Sequence, residues 1–197
     1  MARTFAQPVM DIASLDIPDV KLIRPKRIFD PRGFFVETYS RRDFAAAGIA
    51  CEFVQDNRSL SARIGTVRGL HFQLPDAAQA KLVRVLRGAI FDVAVDIRRH
   101  SPTYGRWCGV TLTASGGEQT FVPRGFAHGF CTLEHDTEVA YKVDGYYAPD
   151  RSSGLFWNDP DIAIRWPVAA GRPLLSEGDA GLPRLASLDS PFLYEDR

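Results

Sequence analysis

The sequence predicts a mainly β domain, of the barrel or jelly-roll kind, with a few short helices. Three observations carry this. Short apolar stretches alternate with Gly, Pro, Asn and Asp clusters along most of the 197 residues, which is the punctuation of strands and turns. Phe91, Val93, Val95 and Ile97 alternate with Asp92, Ala94, Asp96 and Arg98, the period of two that a strand imposes on its faces. So many short strands in one domain-sized chain favour closure, because a closed sheet limits exposed edges.

Residues 1–17 read as an N-terminal extension. They carry Arg3, Asp11 and Asp16 without a continuous apolar run, so neither a signal peptide nor a membrane span is expected there. Ser40-Arg41-Arg42-Asp43 has the form of a capping box, Phe44 to Ala47 supply helix formers, and Gly48 can end the helix. Arg68-Gly69 reads as a turn running into an apolar strand, Leu70 to Gln73. Strand period puts His71 and Gln73 on one face of it, with Leu70 and Phe72 on the other.

Lys81 opens the next strand, to Leu86, and shares the parity of Val83 and Val85, which would point it into a barrel. Arg87-Gly88 reads as the link of a hairpin to the strand Ala89–Arg98. Val110–Thr113, Gln119–Val122, Phe126–Leu133 and Glu138–Val143 are further strands, with Pro123-Arg124-Gly125 as the turn before His128. The core domain therefore runs over 18–170. From residue 171 to 197, repeated Pro, Gly and Leu predict an irregular segment with one helical turn, where Asp179 takes the fourth place of a second capping box.

Bulk properties exclude several function classes. Lys+Arg and Asp+Glu are 24 each, so no net field points to nucleic acid or a membrane surface. Cys51, Cys108 and Cys131 are odd in number and lack metal-type spacing. They read as reduced, mostly buried thiols, as expected of a cytoplasmic protein.

Two of the four histidines, His71 and His128, stand in glycine-marked strand segments. Metal-binding cupins typically carry His-x-His, then Glu, then Pro-x-Gly-x-x-His. Pro123, Gly125 and His128 match the last part. The first part reads His71-Phe72-Gln73, and Lys81 stands where an acidic ligand would be useful. An ammonium must lose its proton to bind a metal, so no metal site is expected. Taken singly, His71 reads as a hydrogen-bonded core histidine, Lys81 as a snorkelling surface residue, Tyr141, on the parity of Val139 and Val143, as a core aromatic, and Asp179 as a cap.

Together they match a family. Phe29-Asp30-Pro31-Arg32-Gly33-Phe34-Phe35-Val36-Glu37 resembles a motif near the start of the dTDP-4-dehydrorhamnose 3,5-epimerases, which are cupin-type jelly rolls. Phe53 to Asn57, Arg68 to Gln73, Phe91 to Arg98, Pro123 to Phe130, Tyr141-Lys142 and Trp157-Asn158-Asp159 are similar to segments that follow in the same order. The resemblance spans about residues 18–180.

It implies a thymidine diphosphate 4-keto-6-deoxyhexose as substrate, inverted at C3 and C5, with no cofactor. It also implies roles. His71 would be the base, Asp179 its orienting carboxylate, Lys81 the enolate-stabilising cation and Tyr141 the acid on the other face. Arg32, Arg68 and His128 would meet the diphosphate, and Gln55, Asp56 and Asn57 the nucleotide. Glu37 would be another ligand contact, and Tyr146 would stack on thymine. Part of the Arg32–Glu37 region reaches a neighbouring subunit in the family, so a homodimer is expected.

Two positions depart from the pattern. Many relatives carry Glu where Ser152 stands and Lys where Gly178 stands, which bears on nucleotide contacts and not on the proposed acid, base or lysine. Besides the double epimerase, the sequence leaves open an epimerase acting at C3 or C5 alone, and a non-catalytic cupin that binds a nucleotide sugar.

Overall fold

The computed structural model describes residues 10–168 and 172–195; most of the N-terminal extension and the start of the C-terminal segment lie outside them. Two antiparallel sheets face each other as a jelly roll. The six-stranded sheet is ordered β1 (Met10–Ser14), β2 (Lys21–Pro25), β10 (Gln119–Val122), β7 (Lys81–Arg87), β12 (Thr137–Val143) and β5 (Gln55–Ser61). The five-stranded sheet is ordered β13 (Ser152–Gly154), β6 (Val67–Gln73), β11 (Phe126–Thr132), β8 (Ala89–Asp96) and β9 (Trp107–Thr113). A separate hairpin joins β3 (Arg27–Asp30) to β4 (Gly33–Val36). Part of the expected N-terminal extension is thus an edge strand, since Met10–Ser14 pairs with Lys21–Pro25.

The core between the sheets is built from the inward parity of each strand. Leu22, Val83 and Val85 meet Ile90, Leu112 and Phe130 across the barrel. The outer face of the five-stranded sheet is buried as well, because Leu155, Trp157, Ile162, Ile164 and Trp166 pack on Leu70, Phe72, Val93 and Val95. Hence the alternating strand 89–96 has no solvated face. Its apolar side lies under the chain's later segment, and Asp92, only 2% exposed, points into the barrel.

The short helix α1 spans Arg41–Ala46, and Ser40 Oγ accepts from Asp43 N–H, as its capping pattern predicts. Phe44, 1% exposed, seats it on Ile23, Leu82 and Phe121 of the six-stranded sheet. The second turn, α2 (Glu177–Ala180), is capped by Ser176 in the same way.

Two local expectations are corrected. The Arg87-Gly88 link is not a hairpin turn. β7 pairs with β10 and β12, while β8 pairs with β11 and β9. Gly88, at φ +77° and with Thr137 Oγ1 2.5 Å from where a Cβ would sit, turns the chain from one sheet into the other. Nor is Arg68-Gly69 a turn before a strand: both lie inside β6. Gly69 is required there by close approach. At φ +118°, a Cβ would lie 2.7 Å from both Gly129 Cα and the His128 carbonyl. The β6–β11 register shifts at this point, between His128 and Phe130. As a result Arg68 and His71, three residues apart, both line one cavity.

Gly69→Ala is therefore expected to destabilise the fold by about 2–4 kcal/mol, combining overpacking with backbone strain. Gly178→Ala, whose added carbon would meet nothing closer than Ser176 Oγ at 3.8 Å, should change stability by less than about 1 kcal/mol. Urea unfolding of the two variants beside wild type checks the contrast, and equal stabilities would refute the close-approach argument.

Candidate active site

Between the sheets lies a cavity of about 490 Å³, lined by Arg68, His71, Lys81, His128, Tyr141 and Asp179 among others. Register brings them together. His71 on β6 stands directly opposite His128 on β11, whereas Lys81 and Tyr141 come from β7 and β12 of the facing sheet. The inward parity of Lys81 with Val83 and Val85, and of Tyr141 with Val139 and Val143, therefore holds.

His71 Nε2 is 2.7 Å from Asp179 Oδ1, and Asp179 Oδ2 accepts from Gly69 N–H at 3.2 Å. Asp179 N–H in turn donates to Ser176 Oγ at 3.1 Å. Asp179 is thus both the residue that closes a cap and the partner of a histidine. Burial pushes its carboxyl up, but the bonds from His71, Gly69 and Ser176 outweigh this and hold it below the usual carboxylate range. A carboxylate kept ionised in this place fixes the ring and its proton on Nε2, so the lone pair of neutral His71 sits on Nδ1. The His71 side chain remains 43% exposed, open to a ligand.

Lys81 Nζ donates to the His71 carbonyl at 3.3 Å. Burial pulls its ammonium down to about 8, against the opposing pull of Asp92. Tyr141 is shifted the other way: burial raises the phenol, with Arg68 lowering it and Tyr147 raising it. Its hydroxyl therefore keeps its proton at neutral pH. His128 Nε2 lies 2.8 Å from Asp92 Oδ1. Burial lowers this imidazole, and Lys81 and His71 add to the effect while Asp92 opposes it.

The other expected residues are placed less centrally. Arg68 reaches the cavity, with its guanidinium on Ser61 Oγ and the Leu60 carbonyl, both at 3.0 Å. Asn57 lies opposite Tyr141, and Gln55 donates to Asn57 Oδ1 at 2.9 Å. Asp56 faces outward and pairs with Lys142 at 2.8 Å. Arg32 sits on the exposed hairpin against Asp30, and neither it nor Glu37 lines the cavity of its own chain. Tyr146 is 72% exposed, on a loop held by Ala148 N–H donating to Gln73 Oε1 and Tyr147 N–H to Gln55 Oε1.

Gln73 gives its amide N–H to the Ala77 carbonyl, so both ends of that side chain serve backbone groups. Among the described residues no three His, Cys, Asp or Glu side chains converge as a metal site. Sequence reasoning missed Asp92. The signal was a carboxylate in an alternating strand, which ordinarily marks a solvated face.

The arrangement can move protons across a bound molecule. One wall offers a carboxylate-oriented imidazole, the facing wall offers a phenol and an ammonium, and the two sheets hold them on opposite sides of one space. Such a set suits proton removal beside a carbonyl, with the cation placed for the oxyanion that forms.

Comparison with known proteins agrees with this reading. The family model for dTDP-4-dehydrorhamnose 3,5-epimerase matches residues 14–187. A protein of that name from Sinorhizobium fredii is 51% identical over 185 residues, 94% of each chain. A dTDP-4-dehydrorhamnose 3-epimerase from Streptomyces niveus is 41% identical over 86% of this chain and 81% of its own. The crystal structure of dTDP-6-deoxy-D-glucose-3,5-epimerase from Legionella pneumophila, in complex with dTDP-4-keto-L-rhamnose, superposes with a TM-score of 0.89 at 42% identity. That match covers 95% of this chain and 100% of the other. With the jelly roll, the two-walled cavity and these relatives in agreement, the chain belongs to the dTDP-4-dehydrorhamnose 3,5-epimerase family.

Proposed function

We propose that this protein converts dTDP-4-dehydro-6-deoxy-D-glucose to dTDP-4-dehydro-L-rhamnose by inverting C3 and C5. The observation that carries this reading is the placement of a carboxylate-bound imidazole and a protonated phenol on opposite walls of one cavity, with Lys81 on the same wall as the phenol.

His71 Nδ1 takes the proton from the carbon next to the C4 ketone. The C–H electron pair becomes the enolate double bond, and the carbonyl pair moves onto O4. Lys81, as a cation, stabilises that oxygen, a contribution of roughly 2.7–4 kcal/mol for one well-placed donor. Tyr141 then returns a proton to the other face of the carbon, which inverts it. Exchange with solvent removes the proton from His71 and restores that of Tyr141. Sugar and product share one oxidation level, so the reaction calls for no redox partner. Lys81 supplies the charge for which other enzymes use a Lewis acid.

Arg68 is suited to the diphosphate by its guanidinium geometry, and Gln55 and Asn57 to the nucleotide end. Arg32, Glu37 and Tyr146 complete the site from its edges. Arg32 and Glu37 do so from a second subunit. The hairpin that carries Arg32 exposes Ile28, Phe29, Phe34 and Phe35 at 54–72%, and an isolated two-stranded hairpin is marginal in water without something to cover it. A homodimer supplies that cover. The free thiols Cys108 and Cys131, both buried, suit a reducing cytoplasm.

Incubation with dTDP-4-keto-6-deoxyglucose in deuterated water, followed by NMR, tests the reaction. Label at both C3 and C5 with an L-sugar product is expected. Label at one carbon alone would replace this reading with an epimerase acting at C3 or C5 only, and no label would end it for this substrate.

His71→Ala should slow exchange at both carbons by about 10²–10⁴-fold while nucleotide binding persists; exchange at the wild-type rate would remove His71 as the base. Tyr141→Phe should still exchange label yet lose inversion, and full epimerisation by that variant would refute the acid assignment.

In sedimentation, wild type should run at twice its 21.9 kDa chain mass. A Phe29→Glu, Phe35→Glu double variant should run as a monomer, and an unchanged dimer would show that the hairpin is not the interface.

A further inference from the structure

Beneath the cavity lies a carboxylate that the mechanism above does not use. Asp92 is 2% exposed and does not line the cavity. Its Oδ1 is bonded to His128 Nε2 at 2.8 Å. Its Oδ2 is buried and has no hydrogen-bond partner among the described residues. A half-satisfied carboxylate in a core is costly unless a nearby charge compensates it.

We propose that Asp92 is a positioning residue for the reaction, the buried counter-charge that holds Lys81 as a cation and keeps the proton of His128 on Nε2. The proposal rests on the epimerase reading and deepens it.

Arg68 and His71 on β6, His128 on β11 and Tyr141 on β12 line the same cavity as Lys81, and Asp92, buried on β8 behind His128, adds its charge. Asp179 also lines the cavity, but both its oxygens are engaged by His71 and Gly69. Asp92 is hydrogen-bonded to His128, and its charge is felt by Lys81 and Cys108. Of the two carboxylates near Lys81, therefore, only Asp92 has an oxygen to spare. Burial alone disfavours an ammonium, and Lys81 is already drawn down to about 8 with Asp92 in place.

Lys81 must be charged to stabilise O4, so activity is expected to fall as pH rises through about 8. Removing Asp92 moves that fall to lower pH. The tautomer matters separately. Neutral His128 that donates from Nε2 offers Nδ1 as an acceptor, which suits a substrate hydroxyl and not a phosphate oxygen.

The chain has four lysines, Lys21, Lys26, Lys81 and Lys142, so reductive ¹³C-methylation gives a spectrum that a Lys81→Arg control assigns. In Asp92→Asn the Lys81 midpoint should drop by about one to two pH units, and the alkaline limb of kcat/KM should move with it. Asp92→Glu should restore both. A Lys81 midpoint unchanged in Asp92→Asn overturns the proposal.

The titration needs no substrate. A shifted midpoint in a protein that fails to turn over the dTDP-sugar would therefore leave the counter-charge standing and sink only the epimerase reading. If Asp92→Asn does not fold, ¹⁵N spectra of the wild-type protein at pH 7.5 decide the His128 arm. Neutral imidazole protonated on Nε2 is expected, and an Nδ1–H tautomer or an imidazolium overturns the proposal.

Discussion

One carboxylate ties the molecule together. Asp179 accepts from His71 Nε2 and from Gly69 N–H, and so binds the C-terminal segment to β6 across more than a hundred residues of sequence. Closing so long a loop costs entropy, though the cost grows only slowly with length. Burial of Trp157, Ile162, Ile164 and Trp166 on the outer face of the five-stranded sheet offsets it. Apolar packing brings the later chain back over the sheet, and the capped turn at Ser176 then aims the carboxylate inward. The proposed base is oriented by a residue that arrives only when that outer layer has formed. Site and fold therefore share one interaction, and Gly69 is needed by both.

The barrel interior is divided. One part is filled by Leu22, Val83, Val85, Ile90 and Leu112, as a jelly roll of this size requires. The other holds His71, Lys81, His128 and Tyr141 around open space. Ionisable groups in such a place shift toward their neutral forms, and the directions seen for Lys81, His128 and Tyr141 all have burial as their largest cause. A neutral phenol suits a proton donor, whereas a neutral lysine would not suit an oxyanion. The same burial that keeps Tyr141 protonated works against Lys81, and a counter-charge behind the cavity relieves that conflict.

Much of this was legible in the sequence, and the exceptions have physical reasons. Strand parity placed Lys81 with Val83 and Tyr141 with Val143, and the serine caps marked both short helices. Pairing partners were not legible. Lys81–Arg87 and Ala89–Asp96 look like a hairpin because only Gly88 separates them, yet Gly88 sends the chain into the other sheet. Sequence reports which faces of a strand are apolar and not which neighbour covers them. Asp92 was hidden for that reason: its side of the alternating strand faces the barrel, while Trp157 and Trp166 cover the other. Gly69 reads as a turn residue in sequence, because its close approach to Gly129 depends on a strand more than fifty residues away.

The same geometry separates chemistry from recognition. His71, Lys81, Tyr141 and Asp179 lie between the sheets, where a change of one methylene alters packing or a proton's position. Arg32, Glu37 and Tyr146 lie on a hairpin and loops outside it. Ser152, exposed at the start of β13 beside Gln73, and Gly178, with open space where a side chain would extend, also sit at the rim. Rim positions accept substitution at little cost to the fold, whereas the proposed proton-moving set is held by packing on both sheets. On the proposed roles of His71 and Tyr141, whether one carbon or two is inverted depends on how the sugar turns between them, which is a property of the cavity.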